Sequence, residues 1–398
     1  MSRADRRARR NDRQDRGVRV RPAAMCAGVL CAGTLLLAAL APQAAATPYD
    51  PPSQPAVPLT TLLSRLQNLY LQTESATESY NQARQIADTQ RAQAAAVDGQ
   101  LADQRVAVAA SRDQVAVLAN RMYQQGGVSP YLALLSGRTP QDFFGQRHVL
   151  DRAAAHQKQV LAGLTAGEAR LAALNTRAQQ ALDRAQRAET VQAARRTQVE
   201  NGLRQVEETL AGLTGVQVQE LQTLEQQGED KSQQDFMDAK PLGDDPALRA
   251  PSALGDRALD FAFRQLGKPY VWGAQGPDAF DCSGLTSQAW AHAGTVIPRT
   301  SQEQWAQLPR VPLALLRPGD LVVYFAQATH VALYIGDGLV IQAPRPGSFV
   351  KVSPIAANPV LGAVRPDMGA QPLPHYTPRP VPKSAEQPTP LTPPATPE

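Results

Sequence analysis

His330-Val331-Ala332-Leu333-Tyr334-Ile335-Gly336-Asp337-Gly338-Leu339-Val340-Ile341-Gln342-Ala343 reads as two short apolar strands around a glycine-bearing turn, and it decides the fold class of the C-terminal region. Leu321-Val322-Val323-Tyr324-Phe325, introduced by the turn Arg317-Pro318-Gly319-Asp320, is a further buried strand. Ahead of these, Ala258 to Leu266 reads as a helix ended by Gly267-Lys268-Pro269, and Ser283 to Ala293 as another with Gly294 as its C-cap. Helices followed by an antiparallel sheet make an α+β arrangement. All three tryptophans and five of the eight phenylalanines fall between Phe261 and Phe349, so a globular core is expected there.

The turn length decides which side chains share a face. A two-residue loop, Asp337-Gly338, sets Gly336 opposite Leu339 and sends His330 and Gln342 to opposite faces. A three-residue loop with Gly338 left-handed pairs Ile335 with Leu339 and Ala332 with Gln342 instead. His330 and Gln342 are then diagonal neighbours on one face, within reach of each other. Gln342 accepts from one imidazole nitrogen and leaves the other for a nucleophile, Cys282. An amide orients the ring but brings no charge to stabilise imidazolium.

Cys282 lies in Phe280-Asp281-Cys282-Ser283-Gly284-Leu285, just before the second helix. Exposed amides and the helix dipole at that position favour a thiolate, so a lowered thiol pKa is expected. Of the five histidines, His148 and His156 lie in a long helical region, His375 in a proline-rich tail, and His292 near the far end of the helix that Cys282 begins. Only His330 opens a core strand of the same domain.

The first 24 residues hold nine arginines and three acids, and an apolar run from Ala23 to Ala41 closes on Pro42-Gln43-Ala44-Ala45-Ala46. This reads as a Sec-type signal peptide over 1–46, cleaved after Ala46 and placing the protein outside the cytoplasm. An uncleaved membrane anchor is the alternative, and Met25 is a second candidate start. Without those 46 residues, the 40 basic and 36 acidic residues become 31 and 33. The basic pI thus belongs to the leader, and neither nucleic acid nor nucleotide is expected as a partner. Cys26 and Cys31 leave with it. A single remaining cysteine in a secreted protein means intermolecular pairing, an accidental thiol or a catalytic one.

After a short linker, 47–58, helical spacing dominates 59–228. Ala94, Val97, Leu101, Val108, Val115, Leu118 and Met122 mark one arm, with Gln104 and Ser111 as polar interruptions; Val199, Leu203, Val206, Leu210 and Leu213 mark the other. Glycine and proline around 126–142 break the two, predicting an antiparallel coiled-coil hairpin with an apolar tip that either caps its own core or binds a partner. Alanine at Ala76, Ala83, Ala87, Ala178, Ala181 and Ala185 buries little area and predicts a pliable rod. Residues 229–252 read as a linker, 253–366 as the compact catalytic domain, and 367–398 as a disordered, polyproline-like tail.

Five motifs, Gly267-Lys268-Pro269-Tyr270-Val271-Trp272-Gly273, Asp281-Cys282-Ser283-Gly284-Leu285, Pro298-Arg299-Thr300-Ser301, Pro318-Gly319-Asp320-Leu321 and His330-Val331-Ala332-Leu333-Tyr334-Ile335-Gly336, resemble in order those of the NlpC/p60 cysteine peptidases. The resemblance implies a papain-like fold and cleavage of peptidoglycan stem peptides between D-glutamate and the diamino acid. It implies Cys282 as nucleophile, His330 as base and Gln342 as third polar residue, where the family more often has histidine. Tyr270 matches a tyrosine that polarises the scissile carbonyl with the Cys282 amide, its alternative reading being a core aromatic. Asp281 and Ser283 match positions that contact the stem peptide. The helical region, with Met122-Tyr123-Gln124 before its break, resembles the coiled coil of secreted hydrolases such as PcsB and the actinobacterial endopeptidases. That resemblance implies autoinhibition by the rod and activation by a membrane complex of the FtsEX type, in cell division. No cofactor or metal is expected, for no His, Cys and acidic set is clustered with zinc-ligand spacing. A catalytically silent scaffold that binds stem peptides and a partner is the reading from a different class.

Overall fold

The computed structural model describes residues 58–124, 140–244 and 249–391. The expected signal peptide, most of the apolar tip and the last seven residues of the tail lie outside the described residues. From Leu59 the chain runs without proline as α1 (Leu59–Gln124), and α2 (Pro140–Ala211) returns beside it. At 1.5 Å per residue these are about 100 and 108 Å long. Cross-arm contacts fix the antiparallel register: Arg91 with Glu189 at 3.0 Å, Gln104 with the Gly167 carbonyl at 3.1 Å, and Arg112 with Glu168 at 2.9 Å. The two ion pairs are exposed and set alignment more than stability. Leu101 and Val108 are buried in the seam, as are Ala83, Ala87, Ala181 and Ala185, whereas Met122 is half exposed. Among the described residues no helix is long and apolar enough to cross a membrane.

The second arm does not run on to Gln227 unbroken. It stops at Ala211, and α3 (Gly215–Asp238) restarts behind Thr214, whose hydroxyl accepts from the Gln217 amide while the Gln217 side chain accepts from the Thr214 amide. This reciprocal cap satisfies two helix-end donors. α3 then continues into the stretch expected as a linker, 229–252. Gln233 bridges the Gly338 carbonyl and the Ala356 amide, and Phe236 and Met237 pack on the sheet. Much of that segment is therefore a helical buttress.

The C-terminal domain begins with α4 (Ala253–Phe263), capped by Ser252, followed by α5 (Cys282–Ala293) and α6 (Ser301–Gln307). Six strands follow: β1 (Arg310–Val311), β2 (Leu321–Tyr324), β3 (His330–Gly336), β4 (Leu339–Gln342), β5 (Lys351–Pro354) and β6 (Val360–Val364), in the antiparallel order β1-β6-β2-β3-β4-β5. One sheet face packs α4 and α5 through Leu259, Leu285, Trp290, Val331 and Leu333; the other is covered partly by α3.

The β3–β4 hairpin has the expected register in its body, Leu333 facing Ile341 and Tyr334 facing Val340. It closes differently. Gly336 faces Leu339 across a two-residue Asp337-Gly338 loop, both loop residues with positive φ, and the register shifts at Ile335. A bulge there supplies the extra residue that returns His330 and Gln342 to one face.

The proline-rich tail is extended, as PPII segments are, yet docked through residue 391. The Leu373 amide donates to the Pro251 carbonyl, Arg379 pairs with Asp256 at 2.7 Å, and Leu391 enters an apolar cluster with Leu66, Tyr70, Val206, Leu210 and Leu221. Proline removes donors and backbone entropy but leaves Arg379 and Leu391 free to bind.

The domain depends on the turn before β2. Gly319 has φ 101° and lies so close to Gly255 that a Cβ would stand 2.8 Å from its Cα, and its carbonyl accepts from Trp290 Nε1 on α5. The buried Asp320 then accepts from Arg365 twice at 2.7 Å and from the Arg317 amide at 2.8 Å. Asp320→Ala is expected to strand a largely buried guanidinium and cost about 3–5 kcal/mol, read as a lowered Tm in thermal melts followed by circular dichroism.

Candidate active site

Asp281 occupies the N-cap of α5, its Oδ1 accepting from the Gly284 amide at 2.6 Å. Its Oδ2 accepts from the Gly273 amide at 2.9 Å, and Arg299 bridges both oxygens at 3.0 and 2.6 Å. This fixes the first turn of α5, where Cys282 is buried. Only glycine fits at 284: a Cβ would stand 2.1 Å from the Ala274 carbonyl oxygen. Asp281 is fully buried with both oxygens engaged, so this expected substrate contact acts here as the fastener of the site.

His330 opens β3 opposite Tyr324 of β2, and its Nε2 lies 2.6 Å from Gln342 Oε1. With the amide oxygen as acceptor, Nε2 carries the proton. Nδ1 is buried and has no hydrogen-bond partner. This is the His–Gln pairing expected from the hairpin. Tyr270 is held by its amide to the Ser348 carbonyl at 2.8 Å, and its buried hydroxyl also has no partner. Ser283 Oγ accepts from Arg299 at 2.8 Å.

The cleft is not empty. One face of α1 lies in it, carrying Glu74, Thr77, Glu78 and Asn81, all buried. Glu78 Oε1 accepts from Ser283 Oγ at 2.6 Å and lies 3.5 Å from Cys282 Sγ, while its Oε2 accepts from the Ser301 amide at 3.1 Å. Asn81 donates to Asp281 Oδ2 at 3.1 Å, and Glu74 Oε1 lies 3.8 Å from His330 Nδ1. Tyr80 packs edge-on against Trp272 with ring centroids 4.9 Å apart.

This changes the electrostatics read from sequence. The Cys282 thiol is pushed well up, first by burial and then by Glu78, Asp281 and Glu74, with Arg299 opposing. A helix N-terminus alone would have lowered it. Burial pushes His330 down to about 4, against the Gln342 hydrogen bond. Burial, with Asp281, likewise pushes Glu78 up to about 7 although Arg299, Ser283 and Ser301 hold it down. Thiol and imidazole are thus both held neutral, the unreactive pair of states.

Sequence reasoning named Cys282, His330, Gln342, Tyr270, Asp281 and Ser283, and the structure brings them to one cleft. It missed Arg299, present in a quoted motif without a role, and the rod residues Glu74, Glu78 and Asn81. A signal existed for these: they recur at spacings of four and three, on one helix face, among other polar residues where a coiled-coil seam calls for apolar ones. Among the described residues no group of His, Cys, Asp and Glu is placed to hold a metal ion. A cavity of about 400 Å³ lies beside Gln342, between the domain, α1 and α3.

Comparison with known proteins bears on the C-terminal region. Residues 267–362 match the NlpC/P60 family. A probable endopeptidase of Corynebacterium glutamicum is 44% identical over 124 residues, which are 31% of this chain and 59% of that protein. A probable endopeptidase of Mycobacterium tuberculosis is 37% identical over 123 residues, 30% of this chain and 32% of that one. The chain therefore spans less than two thirds of these relatives, and the match lies in one domain. Among solved structures, the NlpC/p60 domain of the peptidoglycan hydrolase SagA is 32% identical, covering 28% of this chain and 97% of that one, with a TM-score of 0.27. RipD of Mycobacterium tuberculosis, described as a non-catalytic NlpC/p60 protein adapted to peptidoglycan binding, is 31% identical, covering 28% of this chain and 96% of that one, also with a TM-score of 0.27. By its ordered motifs and by the domain they build around Cys282, the C-terminal region of this chain belongs to the NlpC/P60 family.

Proposed function

We propose that this protein is a secreted peptidoglycan endopeptidase that cleaves stem peptides at the D-glutamate to diamino acid bond, and that its own rod holds it closed. The observation that carries this reading is Glu78 seated on Ser283, Ser301 and the Cys282 thiol while His330 and Gln342 stand paired beside it. A domain built only to bind stem peptides has no need of an oriented imidazole.

The chemistry follows from the groups present once water and substrate replace α1. Rehydration raises the pKa of His330 and, together with removal of two carboxylates from beside the sulfur, lowers that of the thiol, so Nδ1 takes the Cys282 proton. The thiolate attacks the scissile carbonyl, and the Cys282 amide and the Tyr270 hydroxyl, unpartnered in the closed chain, donate to the oxyanion. As the tetrahedral intermediate collapses, the C–N bond breaks and His330 gives its proton to the leaving amine. Water, deprotonated by His330, then hydrolyses the thioester and restores the thiol. The partner proposed to draw the rod aside is a membrane complex of the FtsEX type, as the resemblance of the coiled coil implies.

Purified chain beginning at residue 47 is expected to release little product from diaminopimelate-containing muropeptides, and Glu78→Lys, which sets a cation against Arg299, at least tenfold more. Cys282→Ala in that background should release none, and Gln342→Ala should lose less than His330→Ala, because orientation is worth less than the base itself. Turnover absent from every form across several stem lengths would favour the binding scaffold.

Closure also depends on pH. Glu78, raised to about 7 from its ordinary 4.5, stabilises closure fully below 4.5 and loses that contribution as pH rises through about 7. His330, lowered to about 4 from 6.5, acts oppositely, contributing above 6.5 and losing its share as pH falls towards 4. Glu74, on the same helix face, is raised well above its ordinary value by burial and acts with Glu78, so the two carboxyls outweigh His330 and net loosening is expected as pH rises from about 6 to 8. Amide exchange in residues 70–84, corrected for its intrinsic rate, should be faster at pH 8 than at pH 6; equal protection would remove this role for Glu78.

A further inference from the structure

The helices place another carboxylate against the domain, Glu225 of α3, beside the cavity that Gln342 lines. Arg345 lies three residues beyond Gln342, in the loop after β4. Its Nη1 and Nη2 donate to Glu225 of α3 at 2.5 and 2.8 Å, and its guanidinium lies 4.6 Å over the ring of Tyr70 of α1. Its Nε is buried without a hydrogen-bond partner. The acidic groups facing it, Glu225, Glu229 and Glu74, all belong to the helices, whereas Lys351 of its own domain carries the same charge. Lifted from α1 and α3, Arg345 would be a cation with no anion of its own domain to answer it.

The loop that carries Arg345 is fixed by the domain itself. The Arg345 amide donates to Ser348 Oγ at 3.1 Å, and the Ser348 carbonyl accepts from the Tyr270 amide at 2.8 Å. The guanidinium also lines the cavity of about 400 Å³ that reaches Gln342. His330 must hand its proton to the leaving amine, so the residue bearing that amine lies on the side of His330 and Gln342. The cavity is on that side.

We infer that Arg345 is a specificity-determining residue that binds a carboxylate on the leaving-group side of the scissile bond, and that Glu225 takes that carboxylate's place while the chain is closed. The inference rests on the peptidase reading above. A forked guanidinium with two parallel donors suits a carboxylate and gains little from an amide. Two sources carry that chemistry in a diamino residue: the free main-chain carboxylate of a stem that ends there, and the side-chain carboxylate of diaminopimelate.

The test is calorimetric and needs no turnover. The chain from residue 47 carrying Cys282→Ala and Glu78→Lys is titrated with synthetic L-alanyl-γ-D-glutamyl peptides that end in diaminopimelate or lysine. Each is made with its carboxylates free, with only the main-chain one amidated, and, for diaminopimelate, with only the side-chain one or both amidated. Arg345→Ala is expected to weaken binding at least tenfold for the peptide whose free carboxylate is read and to leave the fully amidated peptide unchanged, with Arg345→Lys intermediate. The amidation that abolishes the difference identifies which carboxylate is bound. Glu225→Ala, which leaves the domain untouched, should tighten binding of the same peptide and serves as the second variant should Arg345→Ala fold poorly. Equal affinity of parent and Arg345→Ala for every peptide, or no effect of Glu225→Ala, overturns the inference and leaves the peptidase reading standing. A parent that binds no stem peptide overturns both.

Discussion

The site hangs on one buried ion pair, Asp281 with Arg299, both nearly inaccessible to solvent. Removing two charges from water is costly, and such a pair is held only where further hydrogen bonds complete it. Here the Gly273 and Gly284 amides, Ser283 and Asn81 do so. The pair ties together three backbone segments distant in sequence: the turn at 271–274, the first turn of α5, and the run from Pro298 to Ser301. Cys282, Ser283 and the Ser301 amide take their relative positions from it. So does the rod, because Asn81 reads Asp281 and Glu78 reads the donors that Arg299 aligns.

The contact that closes the cleft differs in kind from those that anchor the rod. Around Cys282 it is polar and incompletely satisfied: Glu74 Oε2, Thr77 Oγ1, Tyr270 Oη, Trp272 Nε1 and His330 Nδ1 have no protein partner. A buried polar group left so costs about 1–3 kcal/mol, and Glu74 and Glu78 add the work of burying carboxyl groups. At the rod's base, Leu66, Tyr70, Val206, Leu210 and Leu221 pack the helices on one another and on Leu391 of the tail, with the Tyr70 hydroxyl left unpartnered there. The same helix is thus held to its neighbours by apolar packing two to three turns before the cleft and poorly compensated within it.

What the sequence made legible followed strong local rules. The strands β2 to β4, the α5 N-terminus at Cys282 and the His330 to Gln342 pairing rest on period-two burial, a helix cap and a turn. A bulge at Ile335 and an added loop residue have the same effect on parity, so His330 and Gln342 share a face although the loop is the shorter one. The linker was misjudged for a different reason. Gly228 and the acids around it suggested irregular chain, but Phe236 and Met237 find an apolar sheet face that only tertiary structure provides. The tail was misjudged likewise, since composition records its lack of a core and not the surface that receives Leu391. The rod's polar face was visible as Glu74, Glu78 and Asn81, but its meaning was not, for nothing local says that a seam of one domain is complementary to the cleft of another.

That complementarity carries the last step. α1 and α3 meet the domain with carboxylates at two places, Glu78 at the donors beside the thiol and Glu225 at Arg345, beyond Gln342. A helix selected only to block a cleft could do so with apolar bulk, at lower desolvation cost. Carboxylates at both places are instead the groups that a dicarboxylate stem peptide would present. They sit in the cleft at a cost in buried charge, so on the proposed reading closure rests on geometry that a substrate could match and not on surplus apolar area.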